Sequence, residues 1–191
     1  MERLGLFGGS FDPVHLGHLF VAEAAREELK LKRLCFIPAA QSPFKPGRQP
    51  APASERLRML RLALAGRPWC EVDDQEIRRG GVSFTIDTLR AYAARYPDAE
   101  LFYLIGADHV AQLPQWREAA ELARLAQFVV IPRPGQTDIP FPAPFRGLSL
   151  RGFPLGVSSS QIRERVMAGL PIGHLTPPAV AEAIANNRLY L

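Results

Sequence analysis

The residues Gly8-Gly9-Ser10-Phe11-Asp12-Pro13-Val14-His15-Leu16-Gly17-His18-Leu19 follow the apolar run Leu4-Gly5-Leu6-Phe7 and lead into a helix-like segment. A buried strand that empties into glycines, then a turn, then a helix start bearing two histidines, is how an α/β protein builds a phosphate site. The pattern points to a nucleotide. Gly8 and Gly9 offer torsions closed to other residues and let the backbone approach a bulky anion. Ser10 and the N–H groups of the turn can donate to phosphate oxygens. Asp12-Pro13 reads as a turn in which the Asp side chain bonds its own downstream backbone. His15 and His18, at i and i+3 where the helix begins, share a face and can both point at a bound phosphate, with Gly17 leaving room beside it.

Taken singly, a Gly-Gly pair is an ordinary turn and a His-x-x-His spacing an ordinary surface pair. Structural zinc is the weaker reading, because His109 and His174 are isolated and Cys35 and Cys70 stand far apart. No protein-held metal is expected. At 191 residues, 47% hydrophobic and 22% charged, the chain suits one globular domain with a C-terminal helical part from about residue 158. Strand-like sequence from residue 3 leaves no signal peptide, no apolar run approaches a membrane span, and two cysteines without motif spacing suit a reducing compartment. A cytoplasmic protein with no membrane partner is expected. The net charge of +4 is spread along the chain. It suits phosphorylated substrates or a solvated surface alike, and without a basic tract interleaved with aromatics no nucleic-acid partner is expected. Whether copies assemble is left open.

Strands and helices alternate as a parallel sheet with crossover helices demands, giving an α/β, Rossmann-like doubly wound parallel sheet with helices on both faces. Strands are expected at residues 3–7, 33–38, 69–73, 101–106 and 128–132. Helices are expected at 17–30, at 54–65 with Ser54 as cap and Leu57, Leu60 and Leu64 on one face, at 85–96, 118–125 and 158–169, and at 176–187 with Thr176 as cap. Proline-rich loops fill 39–53 and 133–147. There is no internal repeat.

The string from Gly8 to Leu19 resembles the signature of the nucleotidyltransferases with paired His-x-Gly-His histidines, and among them the bacterial nicotinate-nucleotide adenylyltransferases. Ser10 together with His15 favours that branch. Further stretches resemble the family in its order: Pro43-Phe44-Lys45; Ser83-Phe84-Thr85-Ile86-Asp87-Thr88-Leu89; Gly106-Ala107-Asp108; Trp116; Ile131-Pro132-Arg133-Pro134-Gly135; and Val157-Ser158-Ser159-Ser160-Gln161-Ile162-Arg163. The resemblance spans residues 4 to 163. It implies transfer of AMP from ATP, with Mg²⁺, to nicotinate mononucleotide in NAD biosynthesis. His15, His18, Lys45 and Arg163 are the implied catalytic groups. Gly8, Gly9, Ser10, Phe11, Gly17, Gly106, Asp108, Arg133, Ser158 and Ser159 are implied for ATP. Ser10, Lys45, Phe84, Thr85 and Trp116 are implied for nicotinate mononucleotide. The family often has Tyr at the position of Phe84, so a hydroxyl is lost there.

Local physics accompanies each role. A helix start near Thr85 can receive a carboxylate through free N–H groups, although Ser83 or Thr85 there is equally a plain cap. Asp108 can hold ribose hydroxyls or cap a helix, and serines at a helix start with Arg163 one turn in form an anion site or an ordinary cap. A phosphate nucleophile is already anionic near neutrality, its second pKa being about 6, so it needs no general base. The histidines then serve as transition-state donors. Other readings are AMP transfer to the amide mononucleotide or to phosphopantetheine, or a nucleotide-binding module without turnover.

Overall fold

The computed structural model describes residues 2–43, 49–131, 139–152 and 155–191. Six strands form one parallel sheet: β1 (Glu2–Gly9), β2 (Arg33–Pro38), β3 (Cys70–Val72), β4 (Ala99–Gly106), β5 (Gln127–Ile131) and β6 (Gly147–Ser149), in the order β3-β2-β1-β4-β5-β6. Among the described residues, eight α-helices accompany them: α1 (Leu16–Leu29), α2 (Ala53–Leu64), α3 (Gln75–Arg79), α4 (Thr85–Arg95), α5 (Ala107–Val110), α6 (Ala119–Leu125), α7 (Ser159–Met167) and α8 (Pro178–Asn186), with one turn of 3-10 helix at Leu113–Gln115. Strand order reverses between β1 and β4, and ligands of such sheets bind in the crevice outside the carboxyl ends of the strands at that point.

Period-two alternation divides the core between two faces. Leu34, Phe36, Phe102, Leu104 and Val129 join Leu19, Met59, Leu60, Ile162, Val180 and Ile184 on one face. Leu4, Leu6, Ile37, Leu101, Tyr103, Ile105 and Val130 join Ile86, Leu89 and Leu122 on the other. The sheet is thus buried on both sides, which is why its strands read as nearly continuous apolar runs. Within α4, Ile86 and Leu89 are each fully buried, and each such side chain contributes about 1.5–3 kcal/mol.

Three expectations are corrected in the details. Helix α2 is capped by Pro52, whose carbonyl receives Glu55 and Arg56 N–H, so Ser54 lies inside the first turn. Its buried stripe is Arg56, Met59, Leu60, Ala63 and Leu64, rotated from the expected Leu57 face. Helix α8 is capped by Pro177, because the residue before Pro178 is pushed to extended torsions, and the Thr176 hydroxyl instead donates to Ile172 C=O at 3.3 Å. The short α3, α5 and β6 carry no periodic signal of their own. The three residues of β6 become a strand by pairing with β5.

Candidate active site

Where β1 and β4 end, a cleft of about 590 Å³ opens, lined by Gly8, Gly9, Ser10, Phe11, His15, Gly17, His18, Thr85, Gly106, Asp108, Trp116 and Ser159 among others. A smaller pocket of about 150 Å³, lined by Ser10, Asp12, Arg56, Ser160 and Arg163, adjoins it. The two linings share Ser10, Ala39, Ser42 and Ser159.

The glycines are needed for a reason other than unusual torsions. Neither Gly8 nor Gly9 has a positive φ; both are strand residues. A Cβ on Gly8 would collide with the Tyr103 hydroxyl, and one on Gly9 would stand 3.1 Å from the Phe11 ring. Phe11 is the residue that takes the left-handed backbone, at φ 46°. Its buried ring packs edge-on against Phe7 and His18, with centroids 5.5 and 5.0 Å apart. Gly17 serves His15, whose ring lies 3.0 Å from where a Cβ would be. At Gly106 a Cβ would meet only His109, at 3.8 Å, so the fold itself does not demand glycine there. That position stays open toward the cleft.

The rings of His15 and His18 lie against each other, tilted by 33° with centroids 3.8 Å apart. His15 caps α1 and is 6% exposed, and burial pushes its pKa down to about 4. It is therefore neutral near pH 7. His18 Nδ1 accepts the His15 backbone N–H at 3.2 Å, so in this arrangement the ring proton sits on Nε2.

Asp12 departs from its expected role. Its Oδ1 accepts from the Ala51 N–H at 3.0 Å and the Tyr190 hydroxyl at 2.9 Å instead of from its own turn. Arg163 donates to the Asp12 carbonyl at 2.5 Å and to Ser160 Oγ at 2.8 Å, with its guanidinium 3.8 Å from Asp12 Oδ2. It therefore borders the smaller pocket, not the main cleft. Ser159 lines both and donates to the Pro13 carbonyl at 2.9 Å. Ser158 belongs to neither lining: it caps α7, accepting from the Gln161 N–H at 3.2 Å, while Gln161 Oε1 accepts the Ser158 N–H at 2.9 Å.

At the other end of the cleft Thr85 opens α4, and its hydroxyl donates to the Tyr103 oxygen at 3.4 Å. Phe84 is not part of the lining; its ring sits beneath the Arg117 guanidinium, 4.9 Å from the centroid. Trp116 lines the cleft half-buried, with its ring edge toward His109 and Phe128. Lys45 and Arg133 lie outside the described residues.

Several residues of the site were not expected. Arg56, 2% exposed, donates to the carbonyls of Ser10, Ala39 and Ala51 at 2.9, 2.8 and 3.1 Å, tying together the segments after β1 and β2. Burial lowers its pKa. Glu76, 4% exposed, lines the cleft and accepts from Thr88 Oγ1 at 2.5 Å. Burial raises its pKa, while hydrogen bonds from Thr88 and Ser83 oppose the rise. Ser83 Oγ in turn accepts the Ala40 N–H at 3.0 Å. A sequence signal existed for Arg56, which shares the i, i+3, i+4, i+7 stripe of Met59, Leu60 and Ala63. Tyr190 had none.

Among the described residues no group of three or more His, Cys, Asp or Glu side chains has the arrangement to hold a metal ion, and no helix is long and apolar enough to cross a membrane.

The profile of the Cytidylyltransferase-like family matches residues 6–165. A Thermomicrobium roseum protein named "Probable nicotinate-nucleotide adenylyltransferase" is 43% identical, covering all of this chain and 92% of its own. A Herpetosiphon aurantiacus protein of the same name is 39% identical over the full length of both. Among solved structures, Plasmodium falciparum nicotinic acid mononucleotide adenylyltransferase complexed with NaAD superposes with a TM-score of 0.81 at 18% identity, covering all of this chain and 98% of that one, which shows the shared fold. A fold that ends its switch-point strands in this histidine-bearing cleft, and relatives about 40% identical along the whole chain, lead to one conclusion: the chain belongs to the nicotinate-nucleotide adenylyltransferases, nucleotidyltransferases of the Cytidylyltransferase-like family.

Proposed function

We propose that the cleft performs the family's reaction, AMP transfer from ATP to nicotinate mononucleotide, by positioning and neutralising charge and not by acid–base chemistry. A 5′-phosphate oxygen of the mononucleotide attacks the α-phosphorus of ATP in line. The new P–O bond forms as the bond from the α-phosphorus to the bridging oxygen breaks. Nicotinate adenine dinucleotide and pyrophosphate result, with no covalent enzyme intermediate. In phosphoryl-type transfer of this kind, catalysis resides almost entirely in placement and electrostatics.

The close His15–His18 pair carries this reading. The two imidazoles at the amino end of α1 give N–H donors aimed where negative charge builds. His18 presents Nε2–H because Nδ1 already accepts a backbone N–H. His15, held near pKa 4, cannot act as an acid reserve at neutral pH and works as a neutral donor. Gly8, Gly9, Ser10, Phe11 and Gly17 shape the seat of the triphosphate. Arg163, Ser159 and the start of α7, capped by Ser158, flank the leaving pyrophosphate. Gly106 leaves room for the nucleoside, and Asp108 holds its ribose. Lys45 and Arg133 add charge from the two proline-rich segments.

ATP enters as its Mg²⁺ complex. Mg²⁺ retains water and is commonly held by substrate phosphates with one or two carboxylates, so it requires no dedicated protein cage. For the acceptor, free N–H groups at the start of α4, at Thr85, meet the nicotinate carboxylate, with Trp116 against the ring and backbone alone acting at Phe84.

Pyrophosphate release from ATP tests the reading against a panel of nicotinate mononucleotide, its amide analogue and phosphopantetheine. Release with nicotinate mononucleotide at the highest kcat/KM is expected. Release only with another acceptor, or with none, overturns it.

A further inference from the structure

We infer that Tyr190 is a positioning residue for adenylyl transfer, its hydroxyl fixing the Asp12 carboxylate that in turn sets the signature turn and Arg163. The inference rests on the reading of Arg163 as a phosphate ligand. Tyr190 lies 178 residues from Asp12 and outside the residues that match the family profile.

The geometry makes Asp12 a junction. Its side chain is 5% exposed, and it borders the pocket beside the proposed triphosphate seat. An ionised carboxylate there repels phosphate unless its charge is taken up locally. One oxygen, Oδ1, receives both the Tyr190 hydroxyl at 2.9 Å and the Ala51 N–H at 3.0 Å. The other, Oδ2, makes a long ion pair of 3.8 Å with Arg163 Nη1, which also donates to the Asp12 backbone carbonyl. Tyr190, together with the Ala51 N–H, therefore restrains the carboxylate from closing further on Arg163. With that bond lost, one restraint fewer keeps the ion pair at 3.8 Å, and a shorter pair draws positive charge off the phosphates.

Tyr190 is itself placed by the fold and not by this one bond. Its ring packs on the cluster that contains Phe11, Val14 and Ile184. Its backbone takes the left-handed region at φ 66°, a conformation that a non-glycine residue keeps only when its surroundings over-determine it. Burial, and then the charge of Asp12, push its hydroxyl pKa up, so it stays a donor through the neutral range. Leu16 N–H also donates to Leu175 C=O at 3.0 Å, so a second bond from the same C-terminal part reaches the start of α1.

Steady-state kinetics of Tyr190→Phe, Asp12→Asn and the double variant test this on the full chain with ATP and nicotinate mononucleotide. Assays are run at a temperature where circular dichroism shows every protein folded. Tyr190→Phe keeps the ring and removes only the hydroxyl. Loss of a hydrogen bond to a charged group is expected to lower its kcat about fivefold, with KM for nicotinate mononucleotide within about twofold of wild type. A bracket that only held the fold together would move the melting temperature and leave that split absent. In the Asp12→Asn background the same change should cost less than about twofold, because the negative charge that the hydroxyl keeps from closing on Arg163 is already gone. An unchanged kcat in Tyr190→Phe, or effects that multiply in the double variant, overturns the inference. A wild-type protein that releases no pyrophosphate with any acceptor overturns the functional reading instead.

Discussion

The two ends of the cleft are built from different chemistry. Around the signature turn the supports come from far along the chain and include two guanidinium groups: Arg56 from α2 and Arg163 from α7 meet the hydroxyl of Tyr190, after α8, at Ser10 and Asp12. Around the start of α4 the supports are hydroxyls: Ser83, Thr85, Thr88 and Tyr103 gather about Glu76, whose pKa is raised by burial. The difference matches the ligands proposed for each end. A triphosphate needs fixed positive charge and a backbone that does not recoil from it. A nicotinate carboxylate needs helix N–H groups and hydroxyl donors.

If charge holds the signature turn, removing it should be the most damaging change to the fold. Arg56→Met is close in size but leaves three half-buried carbonyls, of Ser10, Ala39 and Ala51, without this donor. An unsatisfied buried acceptor costs about 1–3 kcal/mol, so a loss of about 3–5 kcal/mol is expected in urea unfolding. A loss below about 1 kcal/mol would remove Arg56 from the bracket.

Acid should weaken the same end through His15. Its folded pKa of about 4 lies below the ordinary 6.5, so between those values the unfolded chain takes up a proton that the folded chain refuses. Stability is therefore complete above pH 6.5 and declines as pH falls toward 4, by about 3 kcal/mol in all for this group. Unfolding of wild type and His15→Gln at pH 7 and pH 4.5 isolates it. The variant should show a loss about 2–3 kcal/mol smaller across that interval, and an equal loss in both would show that His15 is not held neutral.

For the chemistry, His18→Ala is expected to lower kcat about 10²-fold, the scale of one lost transition-state donor, with much smaller changes in both KM values. Wild-type turnover in that variant would move the donor role elsewhere.

The readability of the sequence follows the same division. Strand β2 lies at Arg33–Pro38 as expected, because a short apolar run between a lysine and a proline-rich stretch leaves little latitude. His15, His18 and Gly17 stand where their spacing put them, since a helix start is local geometry. The charged bracket was not legible. Arg56 reads as one more arginine among twenty, and only the stripe it shares with Met59 and Leu60 marks it as buried. Asp12 reads as a turn residue, and nothing local announces a partner 178 positions away. The need for glycine at Gly8 was legible but its cause was not, since that cause is a tyrosine on the neighbouring strand β4. Contacts between distant segments decide such details, and periodicity carries no record of them.

The acceptor end gives the gentlest test of the contrast. Glu76→Gln keeps the shape and an acceptor for Thr88 while removing any charge, so if the carboxyl works chiefly as a hydrogen-bonding prop, KM for nicotinate mononucleotide should stay within about twofold. Glu76→Ala removes the prop. Net hydrogen bonds contribute about 1 kcal/mol each, so loosening Thr88 and Ser83 should raise that KM about fivefold while KM for ATP holds. Equal rises for both substrates would mean that Glu76 supports the whole cleft. A rise in Glu76→Gln as large as in Glu76→Ala would mean that the ionised carboxylate matters, and the two ends would then be alike in relying on charge.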